Sequence, residues 1–258
     1  MAIHEDIVSI IKTGSLSLVK DLLGKIISPD VKQRVLQLAS LYGRLDVINY
    51  IVQQGVTPGE LIDPLVYSAE KGYLDIVKYL VEHGANIYAQ NNRVLLKAAE
   101  YGHLDVVKYL VSIGMSLQDP NNKKALLYAA GNGHLDVVKY LVEQGVTDSS
   151  ALESAVKYNY FHVVKYLIEQ GANPNINNGG PLNLAAEYNY PQIFEYLIQN
   201  GAVVNNTTAL YAVIGGNLEI VKYIVQHYYI NNETLNNLIS LASNENRLDI
   251  VNYLSKKI

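Results

Sequence analysis

One thirteen-residue string occurs three times almost unchanged. Gly72 to Gly84 reads GYLDIVKYLVEHG, Gly102 to Gly114 reads GHLDVVKYLVSIG, and Gly133 to Gly145 reads GHLDVVKYLVEQG. Diverged copies begin at Gly14, Gly43, Asn159, Asn189, Gly216 and Asn246, which makes nine copies whose anchors lie 26 to 31 residues apart. A unit this short cannot bury its own apolar face, so it is stable only when stacked on its neighbours. That restricts the chain to a repeat array.

Each copy reads as two helices. After the anchor, Leu104, Val106, Val107, Tyr109, Leu110 and Val111 recur at spacings of three and four, the pattern of an amphipathic helix. Asp105 stands in its first turn, where a negative charge suits the helix dipole, and Gly114 follows its end as a cap. Upstream, Leu95 to Tyr101 forms a shorter helix with a small-residue centre. Four positions before each anchor stands Ala or Ser: Ala39, Ser68, Ala98, Ala129, Ala155, Ala185, Ala212 and Ala242, with Ile10 the exception in the first copy. Small residues in one register let neighbouring helices approach closely. The anchor itself is Gly six times and Asn three times, the two residues that best tolerate a positive φ. A left-handed turn between the two helices is therefore predicted at every anchor.

Composition narrows the function. There are 20 basic and 24 acidic residues, net charge −4, so a nucleic-acid backbone is not an expected partner. Cysteine is absent, which excludes disulfides, thiolate metal sites and a thiol nucleophile. No apolar run is long enough to span a bilayer. Glu5, Asp6 and Lys12 interrupt the start where a signal peptide needs an apolar stretch. The expectation is an intracellular, cytoplasmic protein with no membrane association.

The repeat resembles the ankyrin repeat. Gly102-HLDVVKYLVSIG and Gly133-HLDVVKYLVEQGV match half of its consensus almost letter for letter, and Gly84-Ala85-Asn86 and Gly171-Ala172-Asn173 continue it. The 21 Tyr and the frequent Asn make the chain most similar to the Asn- and Tyr-rich ankyrin proteins of giant DNA viruses of the mimivirus type. There are two departures. The family's T-P-L-H opening survives only as Pro64-Leu65 and Pro181-Leu182, and the copies are shorter than 33 residues. The resemblance implies an all-α, ankyrin-type repeat solenoid of about nine helix-turn-helix units with short or absent β-hairpin fingers. A single domain over residues 1–258 is expected, with caps at 1–28 and 231–258 around internal repeats 29–230. Stacked at about 9–10 Å per unit, the copies would form a rod or crescent.

Other signals carry less. His103 and His134 occupy one register in adjacent copies, too far apart for one zinc, and read as structural. The column Tyr50, Tyr79, Tyr109, Tyr140, Tyr166, Tyr196, Tyr223 and Tyr253 reads as a buried packing ladder. Lys78, Lys108 and Lys139 follow Asp75, Asp105 and Asp136 by three residues, an arrangement that reads as a solvated face of cancelling charges. No nucleophile–base grouping stands out, so no catalytic, cofactor or metal site is expected and the chain is read as a non-enzyme.

What differs between copies is the pair of residues before each anchor, which the resemblance places on the concave, first-helix surface. Packing demands sameness and binding demands difference, so this column is the candidate partner site. Its candidate contacts are Tyr42, Glu70, Lys71, Glu100, Tyr101, Asn132, Lys157, Tyr158, Glu187 and Tyr188, with Tyr67, Lys97 and Tyr128 further back on the same helices. The expected function is non-catalytic binding of another protein by a monomer, the partner being a host protein if the viral resemblance holds. The alternative is a structural spacer or a self-assembling scaffold component of a viral particle. The viral proteins often append an F-box-like segment, but this sequence runs to Lys257-Ile258 within its last copy, so a ubiquitin-ligase adaptor role is not expected.

Overall fold

The amphipathic periods become helices at the predicted places. The computed structural model describes residues 2–25 and 29–257. Residues 26–28, the end of the expected N-terminal cap, lie outside the described residues, as do Met1 and Ile258. The helices come in pairs: α1 (Ala2–Thr13) with α2 (Leu16–Lys25), α3 (Pro29–Leu41) with α4 (Leu45–Gln53), α5 (Ile62–Glu70) with α6 (Leu74–Glu82), and α7 (Ala89–Glu100) with α8 (Leu104–Ser112). There follow α9 (Pro120–Gly131) with α10 (Leu135–Glu143), α11 (Ser150–Lys157) with α12 (Phe161–Glu169), and α13 (Ile176–Glu187) with α14 (Pro191–Gln199). The last pairs are α15 (Asn206–Gly215) with α16 (Leu218–His227), and α17 (Asn232–Asn244) with α18 (Leu248–Leu254). Among the described residues there is no strand, and the only other helical element is a 3-10 turn at Pro58–Leu61.

The chain forms two compact units, one of Met1–Ala129 with Tyr140–Val146, the other of Ala130–Lys139 with Thr147–Ile258. In the first, α1, α3, α5 and α7 pack side by side, and α6 lies against α8. In the second, α11, α13, α15 and α17 make the corresponding layer, with α12 against α14 and α16 against α18. From α4 to α16 each second helix buries three residues at i, i+1 and i+4, such as Ile76, Val77 and Leu80 in α6, and Val163, Val164 and Leu167 in α12. That narrow stripe is all a helix needs when the polar remainder faces water. The small-residue column is buried along its length, from Ala39 to Ala242, and Ser68 spends its hydroxyl on the Pro64 carbonyl at 2.8 Å.

The anchors close each pair by one repeated device. Gly43, Gly72, Gly102, Gly133 and Gly216 have φ between 72° and 79°, and Asn159, Asn189 and Asn246 between 56° and 62°. The next amide then donates back to the small-column carbonyl, as His103 does to Ala98 at 2.8 Å and Tyr160 to Ala155 at 2.9 Å. This is the six-to-one bond of a left-handed C-terminal cap. Gly14 departs from the expectation. Its φ is not left-handed, its amide continues the helical pattern to the Ile10 carbonyl at 2.8 Å, and Ser15 starts α2 by accepting from the Leu18 amide.

A second constraint on the anchor was not visible in the periodicity. At four anchors the residue after the next anchor reaches back over the turn. A Cβ at Gly43 would sit 2.9 Å from the Tyr73 ring, at Gly72 2.4 Å from His103, at Gly133 2.4 Å from Tyr160, and at Gly216 2.6 Å from the Arg247 guanidinium. Some side chains at this position also bind carbonyls one copy back. Arg44 donates to Ile11 and Gly14, His103 Nε2–H to Glu70 at 2.9 Å, and Arg247 to Ile214. His103 is thus consumed in packing.

Among the described residues the loops between copies form no hairpin fingers, and asparagine side chains tie several of these loops together. Asn175 donates to Gly201 and accepts from the Val203 amide, both at 2.8 Å, and Asn205 caps α15 by accepting from the Thr208 amide. The Thr208 hydroxyl donates to Asn183 at 2.8 Å in the interior. Two left-handed triplets, Gln90–Asn92 and Asn177–Gly179, open α7 and α13, so their regular turns start only afterwards. From these triplets Gln90 donates to Asp63 and Asn177 to Glu153, one copy back. Part of the Asn surplus therefore serves left-handed backbone and capping, the two roles its short amide suits.

Candidate partner-binding faces

The first helices end in the varying column, and the left-handed turn lifts the final residue clear of the packed layer. In the first unit Tyr101, at the end of α7, is 44% exposed. Lys97 lies 5.4 Å and Lys71 5.9 Å from its ring centre. Lys97 donates to Glu100 at 2.7 Å, and that carboxylate hydrogen bond holds the ammonium above the usual lysine range. Lys71 is 3.6 Å from Glu70. The ring, two ammonium groups and two carboxylates form one patch on α5 and α7, with Tyr101 caged between cations. Tyr42 is half-buried under Lys12 at 5.7 Å, and Tyr67 is half-buried as well. Tyr128, on α9, is 37% exposed.

In the second unit Tyr158 is 56% and Tyr188 42% exposed. Lys157 stands 5.6 Å over its neighbour Tyr158, and Tyr188 stacks on Tyr190 with 16° between planes. Asn132 is exposed and Glu187 half-buried. The structure thus groups Lys71, Lys97, Glu70, Glu100 and Tyr101 in one patch, and Lys157 with Tyr158 in another.

Two members of the varying column have a packing cause. A Cβ on Gly131 would meet the Ser154 hydroxyl at 2.3 Å, and one on Gly215 the Glu187 carbonyl oxygen at 2.4 Å. At Gly215 the obstacle is backbone, so glycine is required by the close approach of helices; at Gly131 a larger residue would have to displace the Ser154 hydroxyl.

The tyrosine ladder on the second helices also differs from expectation. All eight rings are half-buried, not buried, and four are capped by a lysine of the preceding copy. Burial raises the hydroxyl pKa of Tyr79, Tyr109 and Tyr140. Asp75, Asp105 and Asp136, in place of pairing with these lysines, accept from the following amides of Ile76, Val106 and Val137. The charges are not cancelled in pairs: the carboxylates serve the helix starts and the lysines the rings.

Among the described residues no group of three His, Asp or Glu side chains could hold a metal ion, and no helix is long and apolar enough to cross a membrane.

Comparison with known proteins agrees with this architecture. A family model of ankyrin repeats in many copies matches residues 65–111, and one of ankyrin repeats in three copies matches residues 95–178 and 182–258. No curated protein sequence matches the chain. Among solved structures, the human ASB11 ankyrin repeat domain aligns with a TM-score of 0.60 at 23% identity, over 69% of this chain and 86% of that one. That likeness concerns the fold. With the family models covering most of the sequence, the chain belongs to the ankyrin-repeat family.

Proposed function

We propose that the protein is a non-catalytic module that binds another protein through the ends of its first helices. Ankyrin repeats generally serve protein–protein interaction, and the finer assignment rests on one observation. Tyr101, Tyr158 and Tyr188 are large rings left 42–56% exposed on rigid helix ends, at positions where packing would tolerate small polar residues. Exposed tyrosine on a fixed frame offers contact area at low entropic cost, and Lys71, Lys97 and Lys157 bring charge to its rim. A host protein is the partner we favour, because the Asn- and Tyr-rich sequence resembles giant-virus ankyrin proteins.

The test begins with affinity capture from host-cell lysate and continues with the purified partner. Tyr158→Ala with Tyr188→Ala, and separately Lys97→Ala with Tyr101→Ala, should each leave the melting temperature nearly unchanged. Affinity should fall about tenfold or more for the pair that carries the interface. Full affinity in both folded variants would remove the first-helix assignment. Concentration-dependent self-association of the pure chain, with no captured partner, would favour the scaffold role instead.

A further inference from the structure

Along the second helices, the residue six after an anchor reaches the ring seven after the next anchor at five junctions, while Lys165 pairs with Glu169 and Lys222 with Glu219 on their own helices. Lys20 lies 4.9 Å from the Tyr50 ring, Lys78 5.6 Å from Tyr109, Lys108 5.5 Å from Tyr140 and Lys139 5.7 Å from Tyr166. Asn49 takes the equivalent place by accepting from the Tyr79 hydroxyl at 2.9 Å. In the seventh copy this position is Glu195, and the ring ahead is Tyr223. The charge is inverted where the pattern supplies a cation.

The space that results is a cleft of about 410 Å³ between α14 and α16. Pro191, Phe194, Ile198 and Ile220 give it apolar walls, while Glu195, Glu219 and Tyr223 give it polar ones. Phe194 meets Tyr223 edge-on, 88° between planes, and His227 stacks on the same tyrosine at 4.4 Å. Glu219 is already paired with Lys222 at 2.7 Å. Glu195 accepts only from the Gln199 amide at 3.1 Å, and makes no ion pair among the described residues.

We propose that this cleft receives a basic side chain, arginine or lysine, from a partner protein. The incoming cation would take the place that the chain's own lysine holds at four other junctions. Glu195 meets its charge, the Tyr223 ring attracts it through its π face, and the apolar walls accept its aliphatic stem. The cleft lies on the second-helix side of the second unit, so the inference is independent of the first-helix assignment.

The test titrates the full-length protein with a short acetylated and amidated Ser-Arg-Ser peptide. The readout is the NMR signals of the Ile198 and Ile220 methyls and of the Phe194 and Tyr223 rings. Saturable shifts confined to these signals are expected, with about tenfold weaker binding of the same peptide carrying uncharged citrulline. Glu195→Lys supplies the missing internal cation and should abolish the shifts while raising the melting temperature. Glu195→Gln keeps the shape and should weaken binding about tenfold, so it decides the matter if Glu195→Lys folds poorly. No shifts, equal shifts with the citrulline peptide (an apolar segment as the true occupant), or undiminished binding by Glu195→Gln would overturn the proposal.

Discussion

At Gly72 in the first unit and at Asn189 in the second, the backbone takes the same left-handed turn, with φ 72° and 58°. What lies over the two turns differs. The His103 ring covers Gly72 closely enough that a Cβ there would fall 2.4 Å from its Nδ1. Over Asn189 the next copy places the short Asn217, whose Nδ2 donates to the Asn189 side-chain oxygen. Asn217 also caps α16, accepting from the Glu219 and Ile220 amides. The anchor therefore answers to two constraints: the sign of φ, which its own turn sets, and the cover, which the following copy sets. Gly43, Gly133 and Gly216 belong with Gly72, each beneath a ring or a guanidinium. At Asn159 the following copy offers Tyr190, whose hydroxyl donates to the Lys157 carbonyl at 3.4 Å while its ring stacks on Tyr188 of its own copy.

The comparison breaks most readily at Gly72. Gly72→Val puts a β-branched residue at positive φ and drives its Cβ into His103, so it should cost about 3–4 kcal/mol in chemical denaturation. A loss below about 1 kcal/mol would mean that neither constraint acts there.

The ladder beside the anchors gives the next effect. Tyr109→Ala should cost about 2 kcal/mol, less than the 3–5 kcal/mol of a fully buried aromatic, because the ring is half-buried beneath Lys78. Thermal melts of Tyr109→Ala and Tyr223→Ala sharpen the point. Tyr223 lacks a lysine cover but meets Phe194 edge-on and His227 in a stack, so its loss should be at least as large as that of Tyr109.

Asn189→Gly preserves the backbone but strands the Asn217 amide. On the turn alone this swap would be nearly neutral; with the cover included it should cost about 1 kcal/mol.

The smallest effect is acid sensitivity around α4. The Arg44 side-chain hydrogen bond holds the Asp46 carboxyl below its ordinary range, and the Thr57 amide does the same for Glu60. A carboxylate lowered in the folded state contributes its stability above the unfolded value and loses it as pH falls through the folded one. Both groups lie near the surface, so the loss is a few tenths of a kcal/mol. It should appear as lower amide protection factors, with exchange rates corrected for their intrinsic pH dependence, around α4 and Pro58–Leu61 on acidification, before global unfolding.

Much of this fold is legible in the residues themselves. The three-and-four spacing of Leu104 to Val111, the buried small column and the Gly or Asn anchors are local signals, each with one physical meaning. The covers are not local. Tyr73, His103, Tyr160, Asn217 and Arg247 share a register but no chemistry, and each acts on an anchor about a full copy upstream. The varying column was ambiguous for a related reason. Difference between copies marks exposed Tyr101 and Tyr158, but it also marks Gly131 and Gly215, where helices press together. Only the fold separates the two causes. The lysine column is the solvated face its polarity predicts, but its partners were not legible: Asp75 and Lys78 are neighbours in helical spacing, while the ring that Lys78 covers is Tyr109, in the next copy.

The central claim is that anchor and cover form a coupled pair wherever a side chain of the next copy lies over the turn, and a double-mutant cycle at Gly72 and His103 tests it most directly. Gly72→Asn alone keeps the left-handed turn yet displaces His103 from the Glu70 carbonyl, and should cost about 2 kcal/mol in urea denaturation. Combined with His103→Asn it recreates the Asn189–Asn217 pair, and the double variant should be more stable than the sum of the single losses by about 1–2 kcal/mol. Additive losses, with a coupling indistinguishable from zero, would show that the turn is set by its own backbone alone and would contradict the account.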